Sequence, residues 1–229
     1  YMHDGENVFD SASSKWSQTD WGIDETITRL VAEGRIQPTI VVAMWSTDIR
    51  AAEYMPQKLP DTPSAQGLIR MIRRLNKTEI CSDNYLRFII EEVKPYVDSH
   101  YRTLPGMQDT VIMGASMGGL ISMYAVCEYP QVFCGAGCVS THFPIGRGIA
   151  LKYLQEHLPD PQNHKFYFDF GTKTIDKTYE RFQVRADRIL SEGGYQQPVN
   201  WITRKFEGHK HSEIDWRKRV HIPLEFLLK

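Results

Sequence analysis

The chain has 229 residues, 41% of them hydrophobic and 24% charged, which is the balance of a folded protein with one substantial core. Its 27 Lys and Arg oppose 28 Asp and Glu, so it lacks the basic surplus that nucleic acid or an anionic membrane selects. The longest apolar runs, such as Thr39 to Trp45, fall well short of the ~20 residues that span a bilayer, and four cysteines in a chain of this size do not make a disulfide scaffold. Cys127, Cys134 and Cys138 match neither Cys-x-x-Cys nor a zinc ribbon and read as buried thiols.

Tyr1-Met2-His3 reads as the end of a strand entering the turn Asp4-Gly5, as if earlier strands preceded it. Asp20 to Arg35 then carries Ile23, Ile27, Leu30 and Val31 at helical spacing and stops at Gly34. Thr39 to Trp45 is a continuous β-branched and apolar run, the pattern of a parallel strand buried on both faces. Residues Ser46 to Ala65 show no period and are expected to form a surface loop, followed by a helical stretch from Gln66 to Leu75. A helix capped by Ser82 or Asp83 is predicted to run to about Ser99, bent at Pro95.

From Thr110 onward the alternation is regular. It predicts strand Thr110–Met113, helix Met117–Glu128, strand Phe133–Ser140, helix Ile149–His157, strand Lys165–Phe170, helix Lys177–Ser191, strand Asn200–Phe206 and a closing helix from about Ser212. No linker or repeat divides it, so the expectation is a single α/β domain over residues 1–229, doubly wound and mostly parallel, with helices on both faces.

Gly114-Ala115-Ser116-Met117-Gly118-Gly119 lies between a predicted strand and a predicted helix, the setting of a Gly-x-Ser-x-Gly nucleophile elbow. Strand and helix backbones nearly touch in such a turn, so small neighbours are required, and the helix N-terminus offers N–H donors to an oxyanion. Ser116 is the candidate nucleophile. A base is expected on the loop after the last strand, where Phe206-Glu207-Gly208-His209-Lys210-His211 supplies His209 and His211. The preceding strand leads to Asp176 in a loop as the orienting carboxylate. Asp169 alternates with Phe168 and Phe170 inside that strand, so its side chain should face away from the loop, and Glu207 lies too near the histidines to reach around the ring.

Taken together, His3-Asp4-Gly5-Glu6-Asn7-Val8-Phe9-Asp10, Arg50-Ala51-Ala52-Glu53-Tyr54 with Pro56, the elbow, the Phe170-Gly171-Thr172 strand end and His211 to Trp216 resemble the "Putative esterase" family of α/β-hydrolases. That family includes esterase D and the enterochelin, feruloyl and acetylxylan esterases, together with the mycolyltransferase antigens. The resemblance implies that Ser116 is the nucleophile, that the backbone N–H groups of Met117 and Glu6 form the oxyanion hole, and that His211, followed five places on by Trp216, is the base. Several relatives carry the acid sooner, at the position of Thr174, so the loop holding Asp176 is longer here. The resemblance also implies an extracytoplasmic setting.

The expected activity is serine carboxylic-ester hydrolysis through an acyl-enzyme, on short acyl, arylacyl, sugar or siderophore-type esters. The alternatives are an acyltransferase using the same triad and a non-catalytic ligand-binding module on the same fold. No phosphate loop, dinucleotide turn or His-Glu-x-x-His helix occurs, so no cofactor and no metal are expected. A small-molecule ester is the expected partner, with no nucleic acid or membrane, and the oligomeric state is left open. Trp16, Trp21, Trp45, Tyr54, Phe143 and Trp216 fall in or near loops that should border the site, with Trp45, Tyr54, Phe143 and Trp216 the candidate substrate contacts.

Overall fold

The computed structural model describes every residue except Trp16, so the sequence expectation for that tryptophan lies outside the described residues. Strand β1 (Met2–His3) leads into Asp4 at φ 57° and then a single 3-10 turn, Gly5–Asn7. Gly5 is required there, because a Cβ would lie 2.7 Å from the backbone of Ala43. Helix α1 (Ile23–Ala32) turns Ile23, Ile27 and Leu30 inward, as their spacing predicts.

Strand β2 is only Ala43–Met44, and Ile40 is 46% exposed, which corrects the expectation of a long strand buried on both faces. β2 closes one side of the sheet among the described residues and pairs only with β1. The expected loop over residues 46–65 also needs correcting, since it holds α2 (Arg50–Tyr54) and the first turn of α3 (Pro63–Asn76). The Thr62 side chain caps α3 by accepting from Ala65 N, and Pro63 starts the helix where its missing N–H costs nothing.

Helices α4 (Ser82–Arg87) and α5 (Lys94–His100) are joined through a π-helical segment, Phe88–Val93. Its wide turn sends Lys94 N–H to Ile89 O just before Pro95, the residue expected to disturb the helix. The rest follows the predicted alternation: β3 (Val111–Ala115), α6 (Met117–Glu128), β4 (Gly135–Val139), α7 (Ile149–His157), β5 (Lys165–Gly171), α8 (Glu180–Glu192) and β6 (Trp201–Phe206). The closing helix is divided into α9 (Glu213–Arg217) and α10 (His221–Leu227).

All strand pairs are parallel, in the order β2-β1-β3-β4-β5-β6. Alternate residues feed two cores. Ile112, Ala136, Cys138, Phe166 and Phe168 pack with α6, α7 and α8, while Met113, Ala115, Val139 and Tyr167 pack with α1 and α10. Truncating a buried ring such as Phe168 to Ala would cost about 3–5 kcal/mol. All four cysteines are free, and burial pushes the Cys138 thiol well above its ordinary value. Among the described residues, no helix is long and apolar enough to cross a membrane.

Candidate active site

β3 ends at Ala115 and α6 begins at Met117, leaving Ser116 alone at the turn with φ 59° and ψ −116°, a conformation that L-residues rarely adopt. The turn is this tight because strand and helix share one crossing. A Cβ on Gly114 would lie 3.0 Å from the Gly118 backbone, and one on Gly119 would lie 2.7 Å from Thr141 Oγ1. Ser116 N donates to Val139 O (2.9 Å) and Ser116 O accepts from His142 N (3.1 Å), so the end of β4 holds the elbow from both sides.

The loops after β5 and β6 are stitched together. Thr172 N and Lys173 N both donate to His209 O (3.0 and 2.9 Å), Gly208 N donates to Thr172 Oγ1 (2.9 Å), and His211 N donates to Thr174 Oγ1 (2.9 Å). A 3-10 turn, Thr174–Thr178, brings Asp176 back under Gly171, whose N–H donates to Asp176 Oδ2 (2.8 Å). Ser140 Oγ lies 2.8 Å from the same oxygen, and His211 Nδ1 is 2.6 Å from Asp176 Oδ1. Burial alone would raise the Asp176 carboxyl, but the hydrogen bond and charge of His211, with the Gly171 and Ser140 donors, hold it below the ordinary carboxylate value.

The His211 ring is wedged between two aromatic edges, Trp216 at 4.9 Å and Tyr179 at 5.8 Å between centroids. Tyr179 touches both halves of the site. Burial pushes its hydroxyl well above the usual value, Asp176 adds to the rise, and the Ser116 hydroxyl opposes it. The same hydroxyl is 2.6 Å from His142 Nδ1. Burial lowers the His142 pKa to about 4, with the charges of His211 and Arg50 acting in the same direction, so His142 is a neutral ring at neutral pH.

The rival residues are engaged elsewhere. His209 Nδ1 is 3.1 Å from Arg219 Nη1. Asp169 is buried on the Tyr167 side of β5, forked by Arg219 Nε and Nη2 at 3.0 Å each and bonded to Tyr167 Oη at 3.0 Å. Glu207 is exposed and pairs with Lys205. Sequence reasoning missed Ser140, Tyr179, Arg219 and His142. Arg219 carries no local signal, since its carboxylate partner lies 50 residues away.

At the opposite wall Asp4 takes Arg50 Nε and Nη2 at 2.5 and 2.7 Å, and Asp4 N donates to Tyr54 Oη (3.1 Å). Arg50 stacks on the Tyr54 ring at 4.7 Å, so α2 anchors the turn that carries Glu6. The buried Glu6 carboxylate accepts from Ser46 N (2.9 Å) and from the Ser46 hydroxyl. The backbone N–H groups of Glu6 and Met117 have no protein acceptor among the described residues. Of the aromatics expected to meet substrate, Tyr54, Phe143 and Trp216 are buried against protein partners: Tyr54 braces Asp4 and Arg50, Phe143 packs on Phe168, and Trp216 braces His211. Trp45 is 66% exposed.

A cavity of about 460 Å³, lined by Tyr1, Ile40, Val97, Leu104 and Leu227 among others, has none of Ser116, Asp176 or His211 on its wall. It lies toward the strand N-termini, whereas ligand sites of open parallel sheets form at the carboxyl ends, where Ser116, Asp176 and His211 lie. Among the described residues no three His, Cys, Asp or Glu side chains gather as a metal set.

Residues 1–217 match the family model described as "Putative esterase". The chain is 23% identical over 203 residues to an endo-1,4-beta-xylanase/feruloyl esterase of Xylanibacter ruminicola, covering 80% of this chain and only 24% of that relative. Among solved structures it is similar to the BES protein of Bacillus cereus, with TM-score 0.70, 15% identity and coverage of 100% of this chain and 82% of that one. It is also similar to an enterobactin esterase of Shigella flexneri, with TM-score 0.66, 20% identity and coverage of 99% and 51%. At such identities the shared property is the fold.

Proposed function

The chain belongs to the "Putative esterase" family, and from that membership we propose that it is a serine carboxylic-ester hydrolase acting through an acyl-enzyme. His211 Nε2 takes the Ser116 proton as Oγ attacks the ester carbonyl, and the N–H groups of Met117 and Glu6 receive the oxyanion. The tetrahedral adduct collapses, His211 returns the proton to the departing alcohol, and water then repeats the sequence to release the acid. Asp176 keeps the Nδ1 proton in place, so that Nε2 presents its lone pair.

The observation that carries this reading is the 2.6 Å contact of His211 Nδ1 with Asp176 Oδ1 on two stitched loops, with Tyr179 touching both the His211 ring and the hydroxyl of Ser116 at its φ 59°, ψ −116° turn. Exposed Trp45 precedes Ser46, which is tied to Glu6, and so favours compact aryl or ring-bearing groups beside the proposed oxyanion site. The relatives named feruloyl esterase and enterobactin esterase agree with substrates of the short acyl, arylacyl, sugar or siderophore type.

The test is hydrolysis of p-nitrophenyl acetate with a pre-steady-state burst. Ser116→Ala should lower kcat at least ~10³-fold while circular dichroism stays native. A folded, fully active Ser116→Ala enzyme would remove the nucleophile from this account. Preferential transfer of the acyl group to an added alcohol would make the activity an acyltransferase on the same triad.

A further inference from the structure

Behind the Asp176 carboxylate lies a serine that no sequence motif marks. Ser140 directly follows β4 at φ 40° and is fully buried. Its hydroxyl has three polar neighbours: Trp216 Nε1 at 3.0 Å, Arg219 Nη2 at 3.0 Å and Asp176 Oδ2 at 2.8 Å. A hydroxyl has one hydrogen to give and two lone pairs to receive, while indole and guanidinium N–H groups only donate. Trp216 and Arg219 therefore fill both lone pairs, and the single hydrogen is left with one acceptor, Asp176 Oδ2.

Gly171 N–H donates to that same oxygen at 2.8 Å. With Oδ2 receiving two donors, Oδ1 is the oxygen that remains for His211. Arg219 is itself immobilised by its fork on Asp169, whose Oδ1 also takes Ser140 N–H at 3.1 Å. Backbone and side chain of Ser140 are thus both determined by partners outside the triad.

We propose that Ser140 is a positioning residue for the ester hydrolysis proposed above, on which this inference rests: its hydrogen, directed by Trp216 and Arg219, fixes which Asp176 oxygen faces His211. It follows that the Trp216 N–H influences turnover only through Ser140. Ser140→Ala leaves Oδ2 with one donor, frees the carboxylate to rotate, and concentrates more negative charge toward the imidazole. Trp216→Phe keeps an aromatic edge on His211 and removes only the N–H, giving the Ser140 hydroxyl freedom to turn away.

The experiment is a double-mutant cycle on p-nitrophenyl acetate with wild type, Ser140→Ala, Trp216→Phe and the double variant, and Ser116→Ala as the inactive control. Ser140→Ala should lose about tenfold in kcat with KM changed less than about twofold, and the acid limb of its kcat/KM profile should move to higher pH, because a more exposed carboxylate charge favours the imidazolium. Trp216→Phe should lose about threefold, and the double variant should be no slower than Ser140→Ala alone. Additive losses, or wild-type kcat in Ser140→Ala, overturn the proposal. Should Ser140→Ala fail to fold, Ser140→Cys, a weaker donor of similar size, takes its place under the same criterion.

The downfield proton resonance of the His211 Nδ1–H gives a readout independent of turnover. It should move in each single variant, with the double matching Ser140→Ala, and an unmoved resonance overturns the proposal. If the wild type turns over no faster than Ser116→Ala, the hydrolase reading fails by itself and the resonance alone decides the placement of Ser140.

Discussion

Replacing Asp176 with Asn isolates what the carboxylate does, because the surroundings dictate how the amide must sit. The Oδ2 position receives two donors, Gly171 N–H and the Ser140 hydroxyl, so the amide oxygen has to occupy it and the NH2 group has to face His211. An NH2 group only donates, which forces the lone pair onto His211 Nδ1 and the proton onto Nε2, the nitrogen that must accept from Ser116. The base is then in the wrong tautomer. Such a change costs Ser-His-Asp triads about 10⁴-fold in kcat, which corresponds to about 5.4 kcal/mol of barrier. The fold should survive, since one atom is exchanged for another of the same size and every buried group keeps a partner, so the loss of stability is confined to what the depressed carboxyl contributes at neutral pH. Asp176→Ala, by contrast, strands the Gly171 and Ser140 donors at about 1–3 kcal/mol each. The assay is p-nitrophenyl acetate turnover at neutral pH beside a thermal melt. A folded Asp176→Asn enzyme within tenfold of wild type would refute the tautomer argument.

The two loop histidines should separate cleanly: His211→Ala abolishes turnover, and His209→Ala, whose ring is engaged by Arg219, costs about tenfold or less, so the reverse ranking would assign the base to His209. The depressed Asp176 carboxyl contributes stability that is fully present above the unfolded value of about 3.9 and is lost as pH falls through the lower folded value, so the melting-temperature gap between wild type and Asp176→Asn should narrow on acidification. A gap that stays constant down to about pH 3 contradicts that linkage. In a p-nitrophenyl ester series kcat/KM should fall for acyl chains beyond roughly ten carbons, and Trp45→Ala should raise KM for hydroxycinnamate esters about 2- to 10-fold without affecting acetate. A long-chain maximum, or equal losses on both esters, would exclude Trp45 as a contact for compact aryl groups.

The regular half of the fold was legible because strands buried on both faces leave apolar runs, and because the elbow glycines are a local requirement of one crossing. Thr39 to Trp45 misled for the same reason: an apolar run does not distinguish a central strand from the last one of a sheet. α2 is five residues long, too short for a helical period, and the roles of its Arg50 and Tyr54 emerge only through Asp4, which lies 46 and 50 residues away. Strand parity was enough to turn Asp169 away from the loop. Composition and strand position left His209 and His211 level and only the spacing of His211 to Trp216 separated them, while the structure separates them by partner, Arg219 for one and Asp176 for the other.

The sheet register accounts for the carboxylate at His211 coming from the loop beyond β5 rather than from the strand itself. Parallel pairing sets Val139 opposite Asp169, so the next rung would ask Ser140 N–H for a partner on β5, and it finds the Asp169 carboxylate. That bond allows β4 to end there, with Ser140 turned to φ 40° and His142 capping the elbow through Ser116 O. A carboxylate enclosed at this depth is tolerable only when paired, and Arg219 supplies both arms of the pair. Asp169 is therefore committed to ending one strand and holding one arginine, and its charge is neutralised by that arginine. The 3-10 turn at Thr174–Thr178 brings Asp176 to His211 with Oδ2 taken by Gly171 and Ser140 and Oδ1 facing the ring.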